Sequence, residues 1–199
     1  MYLVKGQKIS KFRGQYTKAS RYFREALSHF QEALNSTPND PLLLRNCARV
    51  LFVTEKTHIQ NELFRRKRDK VDSSSPPPTL SLKSRLLTRA NNYFNKAILA
   101  TGMPEVTLIT EYACFLEDCG ELDAAETTYL SSLLQNPNQH YCLQRYGNFL
   151  EFHRKDEVNG EMFLMRMNQV KLLAQKKAIE ALNAGNDSSS ELKVDKAHN

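Results

Sequence analysis

Tryptophan is absent from this 199-residue chain, and glycine and proline number only 7 each. Three of the prolines are consecutive, Pro76–Pro78, so punctuation elsewhere is sparser still. Few turn residues and few alternating apolar patterns argue against an all-β or α/β fold. No apolar run approaches the roughly 18 to 20 residues a transmembrane helix needs. The opening stretch MYLVKGQKISKFRG has no apolar core of the signal-peptide kind. A cytoplasmic location and reduced thiols are therefore expected for Cys47, Cys114, Cys119 and Cys142. Those cysteines form no paired C-x-x-C knuckles, and none of the five histidines pairs with another at ligand spacing. H-E-x-x-H, G-x-S-x-G, P-loop and G-x-G-x-x-G motifs are all missing. The expectation is a non-enzymatic chain with no catalytic residue, no metal and no cofactor.

What is present is helical periodicity. From Val106 to Cys119, apolar residues fall at Ile109, Tyr112, Ala113 and Leu116, one face of an amphipathic helix. Gly120 follows, suited to a left-handed C-terminal position. A second face, Leu122, Ala125, Tyr129, Leu130, Leu133 and Leu134, starts with Asp123 and Glu126 near the positive end of the helix dipole. It ends at Asn136-Pro137. One kinked helix would carry two apolar faces with no shared surface, so two helices turning at Gly120-Glu121 are predicted.

Both halves of this hairpin recur. Ala26, Phe30, Ala33, Leu34 and Pro38 keep the offsets of Ala125, Tyr129, Ser132, Leu133 and Pro137, and Ala90, Phe94, Ala97 and Ile98 make a third copy. Leu44, Cys47, Ala48 and Leu51 match Ile109, Tyr112, Ala113 and Leu116, as do Leu143, Tyr146, Gly147 and Leu150. Ala48, Ala113 and Gly147 mark places where two helices can approach closely. The unit Val106–Gln139 has the length, about 34 residues, of a tetratricopeptide repeat (TPR). With its small residue, glycine turn, small–aromatic–small run and closing proline, the chain resembles that family over roughly residues 17–165. The signature tryptophan is replaced by Leu44, Ile109 and Leu143.

The resemblance implies an all-α, right-handed superhelix of antiparallel helix hairpins, about three to four repeats, with a long C-terminal capping helix. Helices are expected at about 17–36, 41–60, 84–100, 105–119, 122–136, 139–153 and 156–183, with a weak one at 2–13. Serine, proline and charge over 61–83 predict a disordered insertion within the 1–183 repeat domain. A disordered tail is predicted for 184–199.

Charge is segregated. Lys5 to Arg24 holds seven basic residues and no acid, while Glu105 to Glu126 holds seven acids and no Lys or Arg. Arg65, Arg66, Lys67 and Arg68 form a basic cluster that admits nuclear import, and Ser75-Pro76 is a candidate phosphosite beside it. The basic N-terminus admits membrane-surface contact. It also supports an alternative reading, an RNA-associated helical repeat, which the acidic middle opposes, so nucleic acid is not the expected partner.

In the resembled family the first helices of the hairpins line a concave groove for a peptide or helix of a partner protein. The implied function is a protein–protein interaction scaffold. By register, the groove would be lined by Arg45, Arg49, Thr110, Cys114, Glu117, Tyr141, Gln144, Arg145 and Asn148. Arg45 and Arg49 stand one turn apart and can grip a carboxylate or phosphate. Glu111 stands where a chaperone-type carboxylate clamp would need a neutral or basic group, so no such clamp is expected.

Overall fold

The structure, a computed structural model, describes residues 16–69, 76–102 and 105–194, with side chains from 18 to 181. Among the described residues seven α-helices follow one another: α1 (Tyr16–Ser36), α2 (Pro41–Arg68), α3 (Arg85–Ala100), α4 (Val106–Asp118), α5 (Leu122–Gln135), α6 (His140–Phe149) and α7 (Glu157–Val194). A π-helical turn, Leu150–Arg154, lies between the last two. No strand occurs among the described residues. Among the described residues the fold is thus all-α and built of antiparallel helix hairpins. It divides into two compact units, residues 1–129 and 130–199, with the division inside α5.

In the first unit α2 packs against α1 and α3. Its start is set by Asp40, whose Oδ1 accepts the Leu43 N–H at 2.9 Å, and by Pro41 in the first turn, where a missing N–H is harmless. Ala19, Phe23 and Ala26 of α1 close on Val50 of α2. An aromatic cluster follows along the chain. Phe115 meets Phe52 edge-on at 5.4 Å and Phe94 at 5.2 Å, and the Tyr112 hydroxyl donates to Asn91 Oδ1 at 2.9 Å. The α4–α5 turn lies where Gly120 predicts it. Gly120 has φ +81°, its N–H bonds Glu117 O, and Glu121 N–H bonds Leu116 O, both at 3.0 Å. That pair of bonds is a Schellman cap, which satisfies carbonyls the helix end leaves open.

In the second unit, α6 is capped by the Gln139 side chain, which accepts the Cys142 N–H. The π turn widens its end and closes at Lys155, a non-glycine residue at φ 58°. Asp156 then caps α7 through Asn159. Gly147 of α6 sits against Gly160 of α7, so close that a Cβ on Gly160 would lie 2.9 Å from Gly147 O.

Two boundaries differ from expectation. α2 continues to Arg68 rather than ending near 60. Glu62, Leu63 and the cations 65–68 are good helix formers, and Glu62 bonds Arg65 and Arg66 one turn on, while four cations in the last turn face the dipole's negative end. The expected 61–83 insertion therefore begins as helix. Its 76–82 part is irregular, and 70–75 with Ser75 lies outside the described residues. The other is α7, which runs to Val194, past the expected end near 183. No proline follows Pro137 to stop it. The expected helix at 2–13, the cations Lys5–Arg13 and residues 195–199 also lie outside the described residues.

Candidate functional site: the α2–α4 face

Residues 45, 49, 52 and 56 share one face of α2, at spacings of four, three and four. Three of them reach α4. Arg45 grips Glu111 with both arms, Nε to Oε2 at 2.9 Å and Nη2 to Oε1 at 2.6 Å, and its Nη1 adds Glu105 at 3.2 Å. Phe52 meets Phe115. Lys56 Nζ bonds Asp118 Oδ2 at 2.8 Å and stands over the Phe52 ring at 5.3 Å. Their partners 111, 115 and 118 are likewise one face of α4. Rising numbers on both helices mean that α2 and α4 run in the same direction, bridged by these side chains. The acidic run Glu105–Glu126 thus partly answers the cations of α2.

Arg49, the remaining member of the stripe, is exposed and makes no ion pair among the described residues. Arg45, by contrast, is already occupied, its side chain only 16% exposed. The sequence paired Arg45 and Arg49 as one grip, and the structure separates them into a structural and an available guanidinium.

On α4 the groove assignment needs correcting. Thr110 is fully buried, its hydroxyl donating to Val106 O at 2.9 Å, so it is closed to a ligand. Cys114 and Glu117 face α5. The buried Tyr129 hydroxyl donates to Glu117 Oε2 at 2.6 Å and lies 3.2 Å from Cys114 Sγ. Burial drives that phenol well above its ordinary range, and Cys114 and Glu117 add to the effect. The stripe facing α2 is 111–115–118, one position on from 110–114–117. One residue is about 100° of helix, enough to turn an inferred groove face toward the hairpin partner, where Thr110 is buried and Cys114 and Glu117 are half-buried. The signal that could have found it is the charge match of Arg45 and Lys56 with Glu111 and Asp118.

In the second unit, Tyr141 and Gln144 are exposed on α6, and Arg145 and Asn148 are half-buried. The basic cluster lies on the last turn of α2, not in a loop. Glu62 holds Arg65 at 3.0 Å and Arg66 at 3.3 Å, Asp69 holds Arg68 at 2.7 Å, and Arg66 also reaches Pro76 O at 3.1 Å. Among the thiols, burial pushes Cys47 up to about 11 and Cys119 up to about 12, the latter with help from Asp118 and Glu121. Both stay protonated at neutral pH, which suits packing rather than nucleophilic or redox chemistry.

No family model matches the chain, and no curated protein matches it. Among solved structures, the crystal structure of MamA is similar with a TM-score of 0.41 and 15% identity, over 86% of this chain and 96% of that one. At that score the likeness adds nothing to what the helices themselves show. The class is an all-α helical-hairpin protein. No helix among the described residues is long and apolar enough to cross a membrane.

Proposed function

We propose that this chain is a non-catalytic protein–protein interaction scaffold, which binds a peptide or helix of a partner protein on the face of its first-type helices. The observation that carries the reading is the parallel seam of α2 and α4. Ion pairs and an aromatic contact tie the two helices at three levels, while Arg49 remains exposed between them. A face fixed in this way is preorganised, which reduces the ordering that binding requires. Its free cation selects an acidic or carboxylate-bearing segment. Tyr141 and Gln144 supply a second exposed patch on α6. The scaffold works in the cytoplasm in this reading.

The RNA-associated alternative is not favoured by any observation. Three of the four cluster cations are engaged by Glu62 and Asp69. The test is affinity capture with the full chain and its Arg49→Glu variant. A protein partner that binds the wild type and is lost from the variant, at unchanged thermal stability, supports the α2–α4 face. Capture of nucleic acid alone, or a partner indifferent to the reversal, removes it.

A further inference from the structure

α7 is apolar on two opposite faces, and the fold uses one. Gly160, Phe163, Leu164 and Met167 turn toward α6. Leu164 lies against Gly147, and Phe163 meets Tyr146 edge-on at 4.9 Å. On the other side stand Val158, Met165, Leu172 and Ile179, exposed by 74%, 52%, 65% and 58%. Their spacing is seven residues throughout, with Met162 and Leu173 beside them, also exposed. A seven-residue apolar repeat keeps its seam facing a partner helix as the two coil about each other. Over residues 158–179 the seam is about 32 Å long at ~1.5 Å per residue.

We propose that this stripe pairs with the same stripe of a second copy of the chain, the two α7 helices running antiparallel. Charge decides both the occupant and the direction. Among the charged positions along the stripe, which also include Glu157, Arg166, Lys171 and Glu180, Glu161 precedes its middle and Lys176 follows it, both exposed and neither in an ion pair among the described residues. A two-fold axis beside Asn168 and Gln169 sets Val158 against the second copy's Ile179 and Met165 against its Leu172. The same register sets Glu161 against the second copy's Lys176, twice over by symmetry. A parallel pair would instead oppose Glu161 to Glu161 and Lys176 to Lys176, which is repulsive. Asn168 and Gln169 at the axis leave a polar layer there, of the kind that pins one register. The stripe's complement is thus written in its own sequence, and the interface is isologous.

The test is sedimentation equilibrium of the full chain over a concentration series, with circular dichroism confirming helix content. The wild type is expected to form dimers. Leu172→Glu, at an exposed position, is expected to stay monomeric where the wild type is dimeric, with unchanged helicity. Glu161→Lys or Lys176→Glu alone is expected to weaken dimerisation by about tenfold, and the two together to restore it. A wild-type chain that stays monomeric at several hundred micromolar overturns the proposal, as does a dimer indifferent to Leu172→Glu. A double reversal no tighter than the single ones overturns the antiparallel register.

Discussion

Arg45 and Glu111 stand 66 residues apart in sequence, yet they form a two-armed ion pair at 2.9 and 2.6 Å. Their side chains are 16% and 23% exposed, so the pair is partly desolvated and neither partner can simply turn to water. Removing Glu111 leaves Arg45 with the more exposed Glu105, and removing Arg45 leaves Glu111 partly buried without its guanidinium. Glu111→Gln or Arg45→Met is expected to destabilise the first unit by about 1–2 kcal/mol, less than a fully buried pair because both ends keep some solvent. Arg49→Glu, four residues on, should stay within about 0.5 kcal/mol of wild type. Urea midpoints of the three variants check this contrast. It also makes Arg49, not Arg45, the clean probe of binding: Arg45→Glu would set a carboxylate against Glu105 and Glu111 and weaken the fold itself.

Tyr129 supplies a different kind of tie. Its hydroxyl, fully buried, donates to Glu117 at 2.6 Å. Tyr129→Phe keeps the ring and removes the donor, with an expected loss of about 1–2 kcal/mol. The phenol and the Cys47 and Cys119 thiols also set the alkaline limit. Burial raises all three in the folded chain, the thiols from 9.0 to about 11 and about 12. An acid whose folded pKa is raised binds its proton more tightly when folded, so the unfolded chain releases it first. Stability is then unaffected below the unfolded values and falls as pH rises through them. From about pH 9 for the thiols and about pH 10 for the phenol, the loss approaches ~1.4 kcal/mol per pH unit for each group until its folded value is reached. Urea midpoints at pH 7 to 11 test the slope, and Cys47→Ser with Cys119→Ser should make it shallower.

Lys155 ends the π turn in the left-handed region, at φ 58°, with its N–H and that of Asp156 both directed to Leu150 O. A side chain with a Cβ is strained there by roughly 1–2 kcal/mol. Lys155→Gly relieves that strain while adding freedom to the unfolded chain, and a net gain of about 0.5–1 kcal/mol is expected. A thermal shift of a few degrees upward would register it. An unchanged or lower midpoint would mean that the Lys155 side chain contributes more than its backbone strain subtracts.

Helix order was legible in the sequence because apolar spacing and punctuation agree. The Gly120 turn and the stop at Asn136-Pro137 follow from local chemistry alone. The far ends of α2 and α7 were not legible from composition: serine and charge suggested loop, whereas i,i+4 pairing at Glu62 and the absence of proline favour continued helix. The site was harder. Thr110, Cys114 and Glu117 were placed by analogy of register, and a one-residue offset is invisible when the tryptophan that anchors it is missing. The partners of Arg45 and Lys56 depend on how two helices lie side by side, which no local pattern encodes. The π turn and Lys155 likewise carry no motif.

Gly147 was legible as a place of close approach, but its counterpart Gly160 was not, since a glycine inside a helix ordinarily reads only as a weak point. In the structure each glycine makes room for the other. A Cβ on Gly160 would meet Gly147 O at 2.9 Å and Glu151 N at 3.3 Å, both backbone atoms that cannot move without shifting a helix. On propensity alone Gly160→Ala should stabilise α7 by about 1 kcal/mol. The clash is expected to reverse that sign, giving a net loss of about 1–3 kcal/mol. Gly120→Ala makes the instructive comparison. Its Cβ would meet nothing within 4 Å, so any loss there comes only from φ +81° and should be nearer 1 kcal/mol. Gly147→Ala faces both Gly160 O and the Leu164 side chain at 3.0 Å, so it should resemble Gly160→Ala. Thermal melts of the three variants separate space from strain. If Gly160→Ala raised the midpoint, α6 and α7 would have room to part, and the close glycine contact would not be what holds the second unit together.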